Sequence, residues 1–468
     1  MKHEYNRIDK LTLNELITIA GNNNVYRDKS DLQSYSTDES TMAIPMYPEV
    51  VVKPSDVKIV AQILALANKK NIPVTPRGAG TGLSGGCVPL YSGLVLSLEK
   101  MNHIKRIDLN NLIAVVEPGV SLNQLDEALN QHNLYYPIHI GDMSATIGGS
   151  IATNAGGLNA VKYGVTRNNI LGLEAVLTSG KTIHTGGEYI KCTTGYDFTQ
   201  LLTGSEGTLA VITEIMLKLL PRPVTREMMF IPYNNLQNAI DTVPELLQLK
   251  TVPTGIEFID NDAIKIVEEY METEVPYHEQ PAFLMIIMEG DSYDNVISHF
   301  SEIGDICRKH GAVEVLIPDD ERAKRKLIDI REKIQPAIKK AGKSDLVDAV
   351  VPRSEIARFV YKVKEISRKY GIPVITFGHA GDGNVHLHPI CSGIDEIVWT
   401  KKMPAVMQEI YKASVALGGT ISGEHGIGME KKQYLSLAMD KEKIRLMKEI
   451  KMIFDPNNIL NPGKIFDL

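Results

Sequence analysis

The fold is decided by the stretch Pro76-Arg77-Gly78-Ala79-Gly80-Thr81-Gly82-Leu83-Ser84-Gly85-Gly86, which follows a predicted strand at 72–76. Its five glycines lie within nine residues. Successive glycines adopt positive φ angles easily, which turns consecutive N–H groups inward as an anion nest, and their missing Cβ atoms let a ligand lie directly on the backbone. An irregular turn accounts for one or two glycines but not for five, so we predict a loop that binds phosphate.

A nicotinamide-dinucleotide turn is the first alternative for this loop. Gly78–Gly82 follows a strand, and Glu99, about twenty residues on, imitates the acidic ribose partner of that motif. The motif also needs a helix directly after its glycines to hold the pyrophosphate. Leu83–Pro89 instead contains two further glycines and a proline, which disfavour a helix start. We therefore exclude this reading.

Two further loops have the same character. Gly141–Gly157 is dense in glycine and small residues, and Gly204–Leu209 leads into the apolar run 209–220. One such loop would be weak evidence. Three in one domain predict a large, extended cofactor that is wrapped by backbone.

The remaining pattern predicts two domains of mixed helix and strand. Pro221-Arg222-Pro223 marks the boundary between them. We expect a helical lead-in at 1–47, a cofactor domain at 48–223, a substrate or cap domain at 224–408 and a helical C-terminal segment at 409–468. The predicted strands are 50–53, 72–76, 94–99, 114–117, 173–178, 181–185, 209–220, 228–232, 256–259, 283–289, 313–317, 348–351 and 373–377. The main predicted helices are 11–20, 54–71, 121–132, 236–249, 294–310, 321–341 and 353–370.

Composition excludes several classes of function. The 468 residues carry a formal net charge of −7, which implies no general affinity for nucleic acid. No apolar run approaches the roughly 18 residues that span a bilayer, and the polar N-terminus leads into no signal core, so a cytoplasmic protein without a transmembrane segment is expected. The four cysteines form no C-x-x-C pair, so we expect no iron–sulfur cluster in this chain.

Histidines and one glutamate predict a second site. His379, His386 and His388 lie within ten residues, and the alternation of a strand puts His386 and His388 on one face. Glu424 and His425 follow between glycines. Two histidines and a carboxylate make an open site for a divalent ion, and zinc, manganese and iron(II) all fit.

At this point the chain resembles the FAD-linked oxidases with a flavin domain of the p-cresol methylhydroxylase type, and within them the branch of glycolate oxidase flavin subunits and bacterial D-lactate dehydrogenases. The resemblance runs from Pro48 to Phe466. It implies an α+β fold: an FAD-binding domain of two α/β subdomains, an α+β cap domain with a mostly antiparallel sheet, and a helical C-terminal segment that returns to the FAD domain.

The resemblance also implies non-covalent FAD, because the first loop has no histidine like the one that some relatives link to flavin. His139 departs from the aspartate of many relatives. The residues expected to bind FAD are Pro76, Arg77, Gly78, Ala79, Gly80, Thr81, Gly82, Gly85, Gly86, Pro118, Gly141, Asp142, Ser144, Thr146, Gly148, Gly149, Asn154, Gly157, Glu206, Gly207, Ile212 and Asn461. Among them, Glu206, Gly207 and Ile212 are expected near the adenosine half.

By the same resemblance His379, His386 and Glu424 match metal ligands. His425 matches a catalytic base, Asn384 a substrate-contacting amide and Arg331 a clamp for the substrate carboxylate. His388 has no role in that comparison and is expected to be structural or to support the ligands. The implied reaction is oxidation of a 2-hydroxy acid by hydride transfer to FAD.

The substrate and the electron acceptor stay open at this level. Relatives that oxidise 2-hydroxyglutarate have a lysine in place of Leu346, so the leucine favours D-lactate or glycolate over D-2-hydroxyglutarate. A non-catalytic FAD-binding subunit of a glycolate oxidase complex and an ether-lipid-forming relative are further alternatives; the histidine and glutamate set argues against both. Electrons are expected to pass to a separate acceptor: an iron–sulfur subunit, an electron-transferring flavoprotein, a quinone at a membrane or oxygen. A homodimer is also compatible with the sequence.

Overall fold

A computed structural model describes residues 4–468 of the protein. Its strands are β1 Val25–Tyr26, β2 Val50–Val52, β3 Val74–Arg77, β4 Leu94–Ser97, β5 Ile104–Asp108, β6 Ile113–Val116, β7 Leu134–Tyr135, β8 Ile170–Val176, β9 Thr182–Gly186, β10 Val211–Lys218, β11 Leu220–Pro221, β12 Thr225–Tyr233, β13 Gly255–Asp260, β14 Ala282–Gly290, β15 Val347–Val350, β16 Val374–His379 and β17 Asn384–Pro389. Its α-helices are α1 Lys10–Ala20, α2 Lys29–Gln33, α3 Val57–Lys70, α4 Leu122–Asn130, α5 Ile147–Thr153, α6 Ala160–Tyr163, α7 Phe198–Leu202, α8 Leu236–Leu246, α9 Asn261–Met271, α10 Tyr293–Lys309, α11 Glu321–Glu332, α12 Ile334–Ala341, α13 Ile356–Tyr370, α14 Glu396–Ala416, α15 Leu435–Ala438 and α16 Lys441–Phe454.

These elements form two compact units. The first unit comprises Met1–Ala155, Val165–Arg222 and Glu424–Leu468, and the second comprises Gly156–Gly164 and Pro223–Gly423. Within the described part of the chain, no helix combines the length and the apolar character needed to cross a bilayer.

The first unit contains a four-stranded sheet in the order β1-β2-β4-β3. β2, β4 and β3 run parallel, and β1 pairs antiparallel with β2 at the edge. The crossover between β2 and β3 is α3, which begins because Asp56 accepts hydrogen bonds from the N–H groups of Lys58 and Ile59 and ends at Asn71 in the left-handed conformation. β3 thus delivers the chain into the glycine loop after Arg77.

A second sheet of the same unit is antiparallel, in the order β5-β6-β10-β8-β9. The predicted hairpin is confirmed as β8 and β9, and the apolar run before Pro221 is confirmed as β10, buried along most of its length. One expectation for this unit is wrong in part. The second glycine-rich segment is not irregular throughout, because Ile147–Thr153 forms α5, with Thr146 as its N-cap.

The second unit is a six-stranded antiparallel sheet, in the order β12-β14-β13-β16-β17-β15, with helices packed on it. Two predictions here are wrong. Residues 313–317 form no strand, and only an isolated bridge joins Leu316 to Phe230 of β12. The predicted helix 321–341 is two helices that break at Lys333. The spacing of apolar residues predicted neither the lack of a strand at 313–317 nor the helix break at Lys333. β13, β16, β17 and β15 carry the polar residues of the site.

Candidate active site

The first glycine loop lies against α5 within the first unit. A Cβ on Gly78 would lie 2.3 Å from the Thr146 side-chain oxygen, so no other residue fits there without displacement. Thr146 itself accepts a hydrogen bond from Gly149 N at 3.3 Å, which fixes the start of the helix. The first two loops therefore pack closely, with no space for a side chain at Gly78.

The segment after β6 also packs against α5. Gly148 N donates to Pro118 O at 2.9 Å, and a Cβ on Gly148 would lie 2.6 Å from the Pro118 ring. Farther along, a Cβ on Gly207 would lie 3.3 Å from the ring of Pro76. The third glycine loop thus also meets the end of β3. The structure brings together the three loops that the sequence predicted to share one ligand.

Two predicted cofactor residues have structural partners. Arg77 donates to the carbonyl oxygens of Thr37 at 2.7 Å and Ser34 at 3.0 Å, so its guanidinium holds the segment after α2. Asn461 donates from Nδ2 to Gly86 O at 3.1 Å and to Glu206 O at 2.8 Å, which ties the first and third loops together. The buried Oδ1 of Asn461 has no hydrogen-bond partner among the described residues and remains an acceptor for a ligand.

The other predicted cofactor residues have the following positions. Asp142 accepts from both N and Oγ of Ser144 in the turn before α5. Asn154 ends α5 in the left-handed conformation and accepts from Arg167 N at 2.9 Å. Ile212 lies in β10 of the first unit, whereas Gly157 falls in the second unit.

Glu424 and His425 lie in the first unit, in the turn that precedes α15. Their side chains are adjacent, with 3.7 Å between Glu424 Oε1 and His425 Nε2, and both are largely buried. Gly426 and Gly428 adopt φ angles of 79° and 54°, values that favour glycine, so the two glycines allow the sharp turn in which both functional side chains are held.

The histidine pair of the second unit lies on adjacent strands. His379 ends β16, His386 lies in β17, and their Nε2 atoms are 3.3 Å apart. Glu257 of β13 holds the other nitrogen of His379, with 2.6 Å between Oε1 and Nδ1. A carboxylate on Nδ1 orients the ring and leaves Nε2 as the ligand atom, the arrangement found around metal-binding histidines.

Arg331, in the last turn of α11, lies beside this pair. Its Nε donates to Glu257 Oε2 at 2.8 Å, and its guanidinium stacks over Phe377 at 4.8 Å. Burial by itself would raise the pKa of Glu257, but the charges and hydrogen bonds of His379 and Arg331 prevail and lower it. Glu257 is therefore an ionised, buried acceptor shared between an imidazole and a guanidinium.

Asn384 and Asp348 form a second pair on β17 and β15. Asn384 donates from Nδ2 to Asp348 Oδ1 at 2.7 Å, and its buried Oδ1 has no hydrogen-bond partner among the described residues. Asp348 also accepts from Ser422 Oγ at 3.0 Å and Gly423 N at 2.9 Å. It lies opposite His386 in the strand register, with ligand atoms of the two within 4.8 Å. The amide is thus held with its carbonyl oxygen available to a ligand.

His388 is buried in β17 and stacks on Phe377, with ring centroids 5.5 Å apart and planes at 7°. His386 also contacts that ring, at 5.4 Å. The two histidines therefore share a strand face, as their spacing predicts.

Sequence reasoning missed Glu257 and Asp348. Each could have been noticed from sequence, because a carboxylate in a largely apolar strand is rarely buried without a partner. What could not be foreseen was the partner, since Glu257 and His379 are 122 positions apart.

Comparison with known proteins identifies the family to which the chain belongs. The FAD binding domain model matches residues 48–186, and the model for the C-terminal domain of FAD linked oxidases matches residues 222–465. The chain is 39% identical to glycolate oxidase subunit GlcD of Bacillus subtilis, over 98% of this chain and 97% of the relative. It is 42% identical to a D-lactate dehydrogenase of Archaeoglobus fulgidus, over 89% of this chain and 91% of the relative. Among solved structures, p-cresol methylhydroxylase has a TM-score of 0.82 at 18% identity, covering 97% of this chain and 96% of that one.

The chain belongs to the family of FAD-linked oxidases. It is an FAD-linked oxidoreductase of the type represented by GlcD and D-lactate dehydrogenase, with the p-cresol methylhydroxylase-like fold that the sequence predicts. FAD fits the residues present, because the first unit brings glycine-rich loops together and offers, on Asn461, a buried amide oxygen with no hydrogen-bond partner among the described residues.

Proposed function

We propose that this protein is a dehydrogenase that oxidises a small D-2-hydroxy acid, D-lactate or glycolate, to the 2-oxo acid. The observation that carries the proposal is the pair of imidazole Nε2 atoms, 3.3 Å apart, with Glu257 behind one ring and Arg331 beside it. Imidazole and guanidinium groups, or a metal ion held by imidazoles, bind the carboxylate and hydroxyl oxygens of a hydroxy acid. An apolar substrate has no oxygen atoms for these groups to bind.

The proposed metal ligands are His379, His386 and Glu424. Two imidazole nitrogen atoms 3.3 Å apart, and a carboxylate, suit zinc, manganese or iron(II). Glu257 supports the assignment of His379 as a metal ligand, since metal-binding histidines usually donate their second N–H to a carboxylate. A divalent ion at these ligands would supply a Lewis acid for the hydroxyl and carboxylate oxygens of the substrate.

The chain's own groups complete the proposed chemistry. Nε of Arg331 is engaged by Glu257, and the two Nη groups are the donors proposed for the substrate carboxylate. Asn384 Oδ1 is proposed to accept a hydrogen bond from the substrate. His425 is the proposed base that takes the proton of the C2 hydroxyl. Bound FAD would supply the hydride acceptor, at flavin N5.

Leu346 supports a small substrate. It directly precedes β15 and lies two positions before Asp348, so strand alternation puts both on the same face. A leucine there offers no partner for the second carboxylate of D-2-hydroxyglutarate. D-lactate and glycolate carry only one carboxylate.

Electrons from the reduced flavin require an acceptor. The proposal assigns them to a separate protein or quinone, because the cysteines of this chain have no cluster spacing. The name of the Bacillus subtilis relative as a subunit supports a partner protein.

Anaerobic mixing tests the proposal. The flavin absorbance of the FAD-loaded protein should bleach with D-lactate or glycolate and much more slowly with D-2-hydroxyglutarate. Faster bleaching by D-2-hydroxyglutarate than by D-lactate or glycolate would make D-2-hydroxyglutarate the substrate instead. No bleaching by any 2-hydroxy acid would leave the non-catalytic FAD-binding subunit as the better reading.

A further inference from the structure

Glu206 is buried in the first unit, and both oxygens of its carboxylate are bound by the loop that carries Glu424 and His425. Oε1 accepts from Ile427 N and Oε2 from Gly428 N, each at 2.7 Å. The residue is 8% exposed. A carboxylate at this depth is costly unless it is hydrogen-bonded, so these two contacts are the compensation for its burial.

The backbone of Glu206 is itself fixed by α5 and Asn461. Its N–H donates to Ala152 O of α5 at 2.7 Å, and its carbonyl accepts from Asn461 Nδ2 at 2.8 Å. Its φ of 51° is a conformation that a non-glycine residue adopts only where surrounding contacts hold it. Glu206 therefore links α5 rigidly to the loop that carries Glu424 and His425.

Ser84 of the first glycine loop holds the same turn. Its carbonyl accepts from Met429 N at 3.0 Å, and its hydroxyl donates to Gly426 O at 3.2 Å. A Cβ on Gly428 would lie 1.9 Å from Ser84 O. The turn has no room to shift on this side.

We propose that Glu206 is a positioning residue for His425 and Glu424, acting through the backbone N–H groups of Ile427 and Gly428. This assignment rests on the proposed function of His425 and Glu424. It adds to the position near the adenosine half of FAD that the resemblance implies for Glu206, because each side-chain oxygen accepts a hydrogen bond from the loop that carries Glu424 and His425.

The chemistry of the contact makes the choice of residue specific. Here each N–H donor meets a different oxygen, and a carboxylate has an acceptor on both sides whereas an amide has one. In Glu206→Gln one donor would face an NH2 group, although the shape of the side chain is kept. Glu206→Asp keeps both acceptors on a side chain one methylene shorter. If function is lost in the glutamine variant and recovered in the aspartate variant, the two acceptor oxygens of residue 206 matter and the volume of its side chain does not.

The experiment compares wild type, Glu206→Gln and Glu206→Asp as FAD-loaded proteins. Glu214→Gln is the matched control, since Glu214 lies in the same unit and pairs with Lys105 nearer the surface. Hydrogen–deuterium exchange of the peptide 424–430 reports the loop without any substrate. Anaerobic stopped-flow measures the rate at which D-lactate or glycolate reduces the flavin, which depends on the positions of Glu424 and His425. Flavin absorbance and reduction by dithionite show whether FAD is bound and can be reduced.

In Glu206→Gln we expect exchange of the loop amides to rise about 10-fold or more and the limiting rate of flavin reduction by substrate to fall about 100-fold. Flavin absorbance and dithionite reduction should stay as in wild type, and Glu206→Asp should recover at least part of both losses. Unchanged exchange, an unchanged limiting rate, or loss of FAD from Glu206→Gln would each overturn the proposal. If wild type is not reduced by any 2-hydroxy acid, the proposed function fails, and the exchange data still decide whether Glu206 holds the loop.

Discussion

Glu257 Oε1 lies 2.6 Å from His379 Nδ1, and the two residues face each other in the register of β13 and β16. The opposite carboxylate oxygen receives Arg331. One buried carboxylate thus sets the ring orientation of a proposed metal ligand and the position of the proposed carboxylate clamp.

Glu257→Gln should weaken the metal site. The amide loses the charge that orients His379, so we expect metal affinity to fall about 10- to 100-fold, as for other supporting carboxylates. Metal content after dialysis against graded chelator measures this loss. Glu289→Gln is the control, because Glu289 is equally buried in the same sheet and pairs with Arg226 instead. Equal metal retention in the two variants would contradict the role of Glu257.

Leu346→Lys should change substrate preference. An ammonium on this face can pair with a second carboxylate, so kcat/KM for D-2-hydroxyglutarate relative to D-lactate should rise about 10-fold or more. Steady-state kinetics with an artificial electron acceptor measure the ratio. Leu346→Met keeps the length without the charge and should leave the ratio unchanged; a similar rise in both variants would show that charge at this position does not select the substrate.

Thr376→Val should stabilise the second unit. Thr376 is fully buried in β16, and its hydroxyl has no hydrogen-bond partner among the described residues. Valine removes the unsatisfied group, so the free energy of unfolding should rise by about 1 kcal/mol. Thr242→Val should do the opposite, because the Thr242 hydroxyl is bonded to Asn238 O at 2.9 Å. Denaturant titration compares the two; destabilisation by Thr376→Val would mean that the hydroxyl has a partner.

Lys464 should make stability depend on alkaline pH. Burial lowers its pKa from 10.5 to about 8, against the attraction of Cys87, Asp38 and Glu206. Between these two values the unfolded chain keeps a proton that the folded protein has released, so the contribution of Lys464 to the free energy of unfolding increases as pH rises through this window.

Comparison with Lys464→Met isolates this contribution. From pH 7.5 to pH 10, the stability of wild type relative to Lys464→Met should rise by about 2 kcal/mol in denaturant titrations. Lys432→Met is the control, because its ammonium is partly exposed beside Asp467. A relative stability that stays constant with pH would show that Lys464 keeps its proton in the folded protein.

The loop conformation of the first glycine-rich segment was predictable from sequence because it depends on local composition. Five glycines in nine residues, with no helix start after them, already pointed to a backbone loop. The structure has no helix in this segment, and β3 ends at Arg77 as the strand pattern implied within one residue. α5 was missed because Gly148 and Gly149 are poor helix formers. Its N-cap at Thr146 and the packing of Ile147 and Ile151 override that preference.

The histidine face was also predictable, since the alternation of side chains along a strand depends only on sequence spacing. His386 and His388 accordingly both contact Phe377. Residues 313–317 show the limit of the same reasoning. Their apolar pattern suits a strand, but Leu316 forms only an isolated bridge to Phe230.

The sequence by itself determined the glycine-rich loops, the strand that carries the histidines and the acidic turn at Glu424, because glycine content and residue spacing act locally. Only the tertiary structure decided which buried carboxylates form hydrogen bonds with the histidines and with the turn at Glu424. Strand register set Glu257 against His379 and Asp348 against His386, and loop packing within the first unit set Glu206 against Ile427 and Gly428. Those partners are distant in the chain, and hydrogen bonds between distant residues exist only after the sheets and loops have assembled.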